Sequence, residues 1–209
     1  MEKNVVLVDY GLGNLFSISQ AFKKTGVTPV ISSDIRDLLQ ATHIVLPGVG
    51  AFGDAMTNLK QLGLISPLLE KVSSGTPLLG VCLGMQLLFE ASEEYGVHQG
   101  LGLIKGGIKR FPNEIDSKKL RVPNIGWLGI EHADNEKSLK GIPSGEFMYF
   151  VHSYYTTPDD SEDVLTTTVY QGFEYCSSVS KNNIVGFQFH PEKSGQSGLK
   201  LYDNFINNF

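Results

Sequence analysis

The residues of this chain best suited to chemistry are a cysteine and a histidine more than a hundred positions apart, Cys82 and His190. Cys82 stands in PLLGVCLGMQLLF, residues 77–89, flanked at equal distance by Gly80 and Gly84. Inside a plain strand or helix each glycine costs about 0.5–1 kcal/mol relative to alanine, so the pair predicts a backbone that bends at the cysteine. A strand-to-helix bend with small residues on either side lifts a nucleophile out of its sheet, as in a nucleophile elbow. The bend also puts Cys82 at the N-terminus of the next helix, where N–H groups and the positive dipole end favour thiolate. It leaves the N–H of Leu83 available to an oxyanion. A buried structural cysteine in a glycine-loosened turn is the alternative that this pattern leaves open.

A cysteine nucleophile needs a base. His190 lies in GFQFHPEKS, residues 186–194, at the end of a predicted strand, and Pro191 holds it extended. In an extended segment positions i and i+2 project to one side, which sets Glu192 beside His190. A carboxylate there fixes the imidazole tautomer and stabilises the imidazolium. Taken alone, the segment also reads as an exposed strand end whose His and Glu touch water; Cys82 in the same chain favours catalysis. Of the other histidines, His43 is expected at the start of a strand in a structural role, and His98 and His132 in surface turns. His152, in the aromatic stretch YFVHSYY, can face the site. The glycine-rich PGVGAFGD, residues 47–54, exposes backbone N–H groups. It lacks the GK[ST] of a phosphate loop and the spacing of a dinucleotide fingerprint, so an oxyanion role beside Cys82 is preferred for this loop over phosphate binding.

Parallel strands must bring these pieces together. NVVLVDYG (4–11), VTPVISS (27–33), THIVLPG (42–48) and TPLLGVC (76–82) read as strands. Between them NLFSISQAFKKTG, DIRDLLQA and DAMTNLKQLGLISPLLEKVSSG read as helices, and LGMQLLFEAS (83–92) reads as a helix behind Cys82. Strand–helix alternation predicts an α/β fold with a central, mostly parallel sheet flanked by helices, flavodoxin-like. Its working site lies beyond the carboxyl ends of the strands. From about residue 100 shorter strands predict added antiparallel structure in the C-terminal half, and SGLKLYDNFINNF closes the chain as a helix. The whole of 1–209 is expected to form one domain.

Composition narrows the function. The 209 residues carry 17 basic and 22 acidic side chains, for a formal charge of −5, and no basic block. That argues against a nucleic-acid partner, and SKKLR at 117–121 reads as a solvated loop. No stretch reaches the roughly 18 apolar residues of a membrane span, and the N-terminal apolar run is too short for a signal peptide. No membrane association and a cytoplasmic location are expected. The two cysteines are too few for a disulfide scaffold. Nothing indicates a metal or a cofactor.

The elbow GVCLGMQ, the terminal HPEKS and the loop PGVGAFGDAM together resemble the class I (triad-type) glutamine amidotransferases. DYGLGNL (9–15), the Gly-Trp pair at 126–127, YFVHSYY and the final NF resemble one family among them, the glutaminase subunits of imidazole glycerol phosphate synthase. Related amidotransferases usually carry His where this chain has Met85. The resemblance implies that Cys82 attacks the carboxamide of glutamine and that His190 protonates the departing ammonia and then activates water. Glu192 orients His190. The resemblance further implies an oxyanion held by Leu83 and by the Gly48–Val49–Gly50 strand, one peptide of which turns over to complete the hole. Gln86 contacts the substrate, and Ser153 and Tyr154 line its pocket. The implied partner is a (β/α)8-barrel cyclase subunit (HisF or a HisF-like protein) that receives the ammonia in a heterodimer. Asn14, Trp127, Tyr154 and Lys193 fall in stretches at that interface; a core or rim aromatic is the alternative for Trp127.

The chain departs from the family pattern at Asn124 and Leu128, where His and Asn are commoner, and in VYQGFEYCSS. Both departures resemble paralogues that feed ammonia to sugar amidation in surface-polysaccharide synthesis, with a HisF-like partner. Histidine biosynthesis is the first reading and that paralogue the second. A non-catalytic binding subunit is a third, disfavoured because all three triad positions are filled.

Overall fold

The computed structural model describes residues 3–115, 117–133 and 136–209. The first half alternates as the sequence predicts. Strands β1 (Val5–Val8), β2 (Val30–Ser32), β3 (His43–Leu46) and β4 (Leu78–Val81) are joined by helices α1 (Leu15–Lys24), α2 (Ile35–Gln40), α3 (Phe52–Gln61) and α4 (Ile65–Ser73). The helical stretch over 54–75 divides into α3 and α4, because the chain turns at Gly63 with φ of +68°. Past Cys82 comes a single helical turn, α5 (Leu83–Gln86), and then β5 (Phe89–Ser92), β6 (His98–Gln99) and β7 (Ile104–Arg110). The helix expected over 83–92 therefore stops at Gln86. A short apolar run reads alike in a buried helix and a buried strand, and Phe89–Ser92 pairs with β7.

The second half is β-rich: β8 (Glu114–Ile115), β9 (Lys118–Lys119), β10 (Asn124–Ile130), β11 (Glu146–His152), β12 (Tyr154–Pro158), β13 (Val164–Tyr170), β14 (Phe173–Lys181) and β15 (Ile184–Phe187). Helix α6 (Gly195–Asn208) follows. The main sheet runs β2-β1-β3-β4-β15-β14-β12-β7-β5-β6, with β13 against β14. Its β2-to-β15 portion is parallel. The β14 contacts to β15, β12 and β13 are antiparallel. Strands β10 and β11 form a separate antiparallel ribbon. Among the described residues no helix is long and apolar enough to cross a membrane.

Strands β1, β3, β4 and β15 are buried on both faces, so their residues feed two cores in alternation, whereas the edge strand β2 leaves Val30 and Ile31 exposed. Val5, Leu7, Val45, Leu79 and Val81 pack with α1 and α6 through Phe22, Tyr202 and Phe205. Val6, Val8, Ile44, Leu46 and Leu78 pack with α2, α3, α4 and α5 through Leu38, Leu59, Leu68 and Met85. Each such side chain contributes about 1.5–3 kcal/mol on burial. The rigid sheet places three carboxyl ends side by side: β3 pairs with β4 (Leu46↔Gly80), and β4 with β15 (Val81↔Phe187). The segments that follow those ends carry Gly48–Gly50, Cys82 and His190.

Candidate active site

Cys82 is the bend itself. Its φ of 55° and ψ of −112° lie where side chains are seldom tolerated, a strain of about 1–3 kcal/mol that the surroundings must hold. Its N–H donates to the Phe187 carbonyl at 2.7 Å, and its own carbonyl accepts from Met85 and Gln86. The two glycines are required by close approach. A Cβ on Gly80 would stand 2.7 Å from the Gly84 carbonyl oxygen, and one on Gly84 would overlap the Leu46 carbonyl oxygen. The thiol is buried, 7% exposed.

His190 arrives on the neighbouring strand. It keeps an extended backbone (φ −103°, ψ 97°), but Glu192 reaches it differently from the sequence expectation: Pro191–Lys193 is one 3₁₀ turn, opened by proline at its first position. His190 Nδ1 lies 2.7 Å from Glu192 Oε1. The carboxylate only accepts, so Nδ1 carries the proton and Nε2 is left for the site. Nε2 is buried with no hydrogen-bond partner among the described residues, and His190 lines the same cleft as Cys82. Burial pulls the His190 pKa down. Hydrogen bonding and charge from Cys82 and Glu192 outweigh burial and lift it to about 10.

One cleft of about 390 Å³ gathers Cys82, Leu83, Gln86, Val49, Gly50, Ser153, Tyr154 and His190. Among the described residues the Leu83 N–H donates to no protein acceptor. Gly48 lies behind the cleft wall: a Cβ there would meet the Tyr10 hydroxyl at 2.6 Å and Leu83 Cβ at 2.8 Å. Tyr10 donates to the Pro47 carbonyl at 2.5 Å, tying the strand start to the first loop.

Three further groups escaped the sequence reading: Glu94 and Pro123 in the cleft lining, and Gln188, buried beside Cys82. The Glu94 carboxylate accepts from the Phe52 N–H at 2.7 Å; SEEYG reads as a solvated turn, and nothing local marks it out. Gln188 is fully buried. Gln86 Nε2 donates to the Tyr154 carbonyl (3.2 Å) and to Gln188 Oε1 (2.9 Å), which turns Gln188 Nε2 toward the Cys82 sulfur at 3.8 Å. A polar residue inside the apolar run IVGFQF was the available signal. Pro123 also lines the cleft. His152, which the sequence allowed to face the site, does so. Its pKa falls to about 4, mainly through burial, with the charge of His190 adding to the fall against a hydrogen bond to Tyr154.

The remaining residues singled out in the sequence lie outside the cleft lining. Trp127 is half-exposed on β10 and meets Tyr149 edge-on at 5.9 Å; Lys193 sits over the same ring at 5.4 Å, and Tyr149 is 6.4 Å from the His190 ring. They form one surface beside the cleft, extended by exposed Ile125 and Phe147. Asn14 caps α1, accepting from the Ser17 N–H. Among the described residues no three His, Cys, Asp or Glu are grouped as a metal would need.

The profile of the class-I glutamine amidotransferases matches residues 6–209. The protein named "Imidazole glycerol phosphate synthase subunit HisH" from Aquifex aeolicus (strain VF5) is 47% identical over 201 residues, covering 96% of this chain and 94% of that protein. The protein of the same name from Syntrophotalea carbinolica (strain DSM 2380 / NBRC 103641 / GraBd1) is 45% identical over 203 residues, covering 96% and 98%. Among solved structures, a glutamine amidotransferase superposes with a TM-score of 0.75 at 18% identity, covering 99% of this chain and all of that one. PurLQS from Thermotoga maritima gives 0.74 at 20% identity, covering 100% and 99%. These two structural likenesses speak for the fold.

Proposed function

Because the chain belongs to the class-I glutamine amidotransferase family, we propose that it is the glutaminase subunit of imidazole glycerol phosphate synthase, freeing ammonia for histidine biosynthesis. The observation that carries the chemistry is the meeting of three segments in one cleft: the strained Cys82, the His190–Glu192 pair and the strand at Val49–Gly50.

The reaction follows from those positions. Cys82 gives its proton to His190 Nε2, and the sulfur adds to the carboxamide carbon of glutamine. The carbonyl π electrons move to oxygen, and the oxyanion draws on the Leu83 N–H and on a peptide of the 48–50 strand. As the tetrahedral centre collapses, the C–N bond breaks and His190 protonates the nitrogen, so ammonia leaves and a thioester remains. His190 then takes a proton from water, whose oxygen displaces the sulfur to give glutamate. Glu192 holds the imidazole in the tautomer that both halves require. Gln188 turns an N–H toward the sulfur. Glu94 complements the α-ammonium group of the substrate, and Gln86, Ser153 and Tyr154 line its path.

Ammonia released into water at neutral pH is protonated and loses its nucleophilicity, so it must be handed on directly. The relatives are named as a subunit of a synthase, and the (β/α)8-barrel cyclase subunit is the receiver this reading requires. The surface of Trp127, Tyr149, Lys193, Ile125 and Phe147 lies next to His190 and suits that contact. The relatives at 45–47% identity favour histidine synthesis over sugar amidation. The test is Cys82→Ser assembled with the cyclase subunit. Glutamine-driven synthesis is expected to vanish and ammonium-driven synthesis to persist; glutamate release at the parent rate would overturn the reading.

A further inference from the structure

The carboxylate of Glu192 has two oxygens, and the reading above uses one. Its side chain is wholly enclosed. Oε1 accepts from His190 Nδ1, while Oε2 accepts from the hydroxyl of Tyr202 on α6 at 3.1 Å. Among the described residues no other side chain donates to Oε2. In the sequence Tyr202 is one of the apolar positions that dock the last helix, and a packing role accounts for its ring: it is fully buried and packs against Phe22, the two rings tilted by 38° with centroids 4.6 Å apart. Packing does not account for a hydroxyl delivered to an enclosed carboxylate.

The surroundings are built to deliver it. Ser194 Oγ donates to the His190 carbonyl and accepts from the Tyr149 N–H, closing the turn that carries Glu192. The Gly198 N–H donates to the Ser194 carbonyl. A Cβ at Gly198 would overlap the Pro191 carbonyl oxygen, so the glycine lets α6 press against that turn. Tyr202 follows Gly198 by four residues and so shares its helix face. Ser197 Oγ bonds Glu146 on β11 and braces the same helix. Burial, followed by the neighbouring Glu192, keeps the Tyr202 phenol protonated well beyond its ordinary range, so it stays a donor.

We propose that Tyr202 is a positioning residue of this site: its hydroxyl occupies the second oxygen of Glu192 and fixes the carboxylate that orients His190. Without that bond Oε2 is a buried charged oxygen lacking a partner, and the carboxylate rotates to find one at the expense of His190. The role rests on the glutaminase reading. It acts through Glu192 and not on the substrate, so it bears on kcat and leaves KM alone.

The test is a double-mutant cycle on the full chain with the cyclase subunit: parent, Tyr202→Phe, Glu192→Ala and the double variant. Glutamate release is followed against glutamine concentration, with thermal unfolding of each variant. Phe keeps the ring that packs against Phe22. Tyr202→Phe is expected to lower kcat about tenfold with KM unchanged within about twofold, the scale of one hydrogen bond to a charged group. In the Glu192→Ala background the same change should alter kcat by less than about twofold. A purely structural role would lower kcat equally in both backgrounds, and that result, or parent kcat in Tyr202→Phe, would overturn the proposal while leaving the glutaminase reading intact. A parent complex that releases no glutamate would overturn both.

Discussion

Lowering the pH should destabilise this protein, and His152 is the ring whose share can be isolated; burial also lowers the pKa of His43. His152 is 7% exposed at the end of β11. Its Nδ1 faces the Tyr154 carbonyl at 2.8 Å and so carries the proton. Nε2 faces the Asn124 side-chain nitrogen at 3.0 Å and the Tyr175 hydroxyl at 3.2 Å, and accepts from them. A second ring proton would point at the donors Asn124 and Tyr175. Burial first, and then the charge of His190, bring the pKa down to about 4, against about 6.5 in an unfolded chain. Between those values the unfolded chain binds the proton and the folded chain does not, so stability is present above pH 6.5 and lost as pH falls toward 4. The full difference is about 3 kcal/mol, of which about 2 kcal/mol is lost by pH 5. Urea unfolding at pH 7.5 and pH 5.0, on the parent and on His152→Gln, isolates it. The parent should lose about 2 kcal/mol more than the variant over that interval. Equal losses would refute the reasoning.

Two other outcomes follow from the same geometry. His190 is shifted the other way, to about 10, so its contribution is complete below about pH 6.5 and is lost as pH rises toward 10; unfolding between pH 7 and 10 should show a steeper stability loss in the parent than in His190→Gln, and parallel curves would count against the pairing. Gly84→Ala would push a methyl into the Leu46 carbonyl oxygen. It should cost about 1–3 kcal/mol in urea unfolding and reduce kcat more than it raises KM, whereas parent-like values for both would show that the elbow tolerates the side chain.

The α/β order was legible because β1, β3 and β4 are continuous apolar runs separated by helical stretches. The polar caps Asn14 and Asp34 open α1 and α2, and Gly26 and Gly75 follow α1 and α4. The meeting of Cys82 with His190 was expected from the two motifs occurring in one chain, but the alternation of the first half did not announce that β15, from the β-rich second half, lies beside β4. Other failures were local. LGMQLLFEAS carries no period that separates helix from strand, and only the pairing of Phe89–Ser92 with β7 decides it. Glu192 reaches His190 through a 3₁₀ turn and not along an extended strand; Pro191, a favoured opener of helical turns, was the overlooked sign. Glu94 and Tyr202 were out of reach. Their neighbours, the Phe52 N–H and Glu192, are 42 and 10 positions away in sequence, and the contacts exist only once α3 and α6 are in place.

The central claim is that the sulfur of Cys82 attacks the glutamine carboxamide, and covalent trapping tests it most directly. The complex would be treated with the glutamine analogue 6-diazo-5-oxo-norleucine, with and without excess glutamine, and digested for peptide mass analysis. One adduct on the Cys82 peptide, suppressed by glutamine and absent from the buried Cys176, is the predicted result. A labelled Cys176, or no adduct while glutamate is still being released, would contradict it.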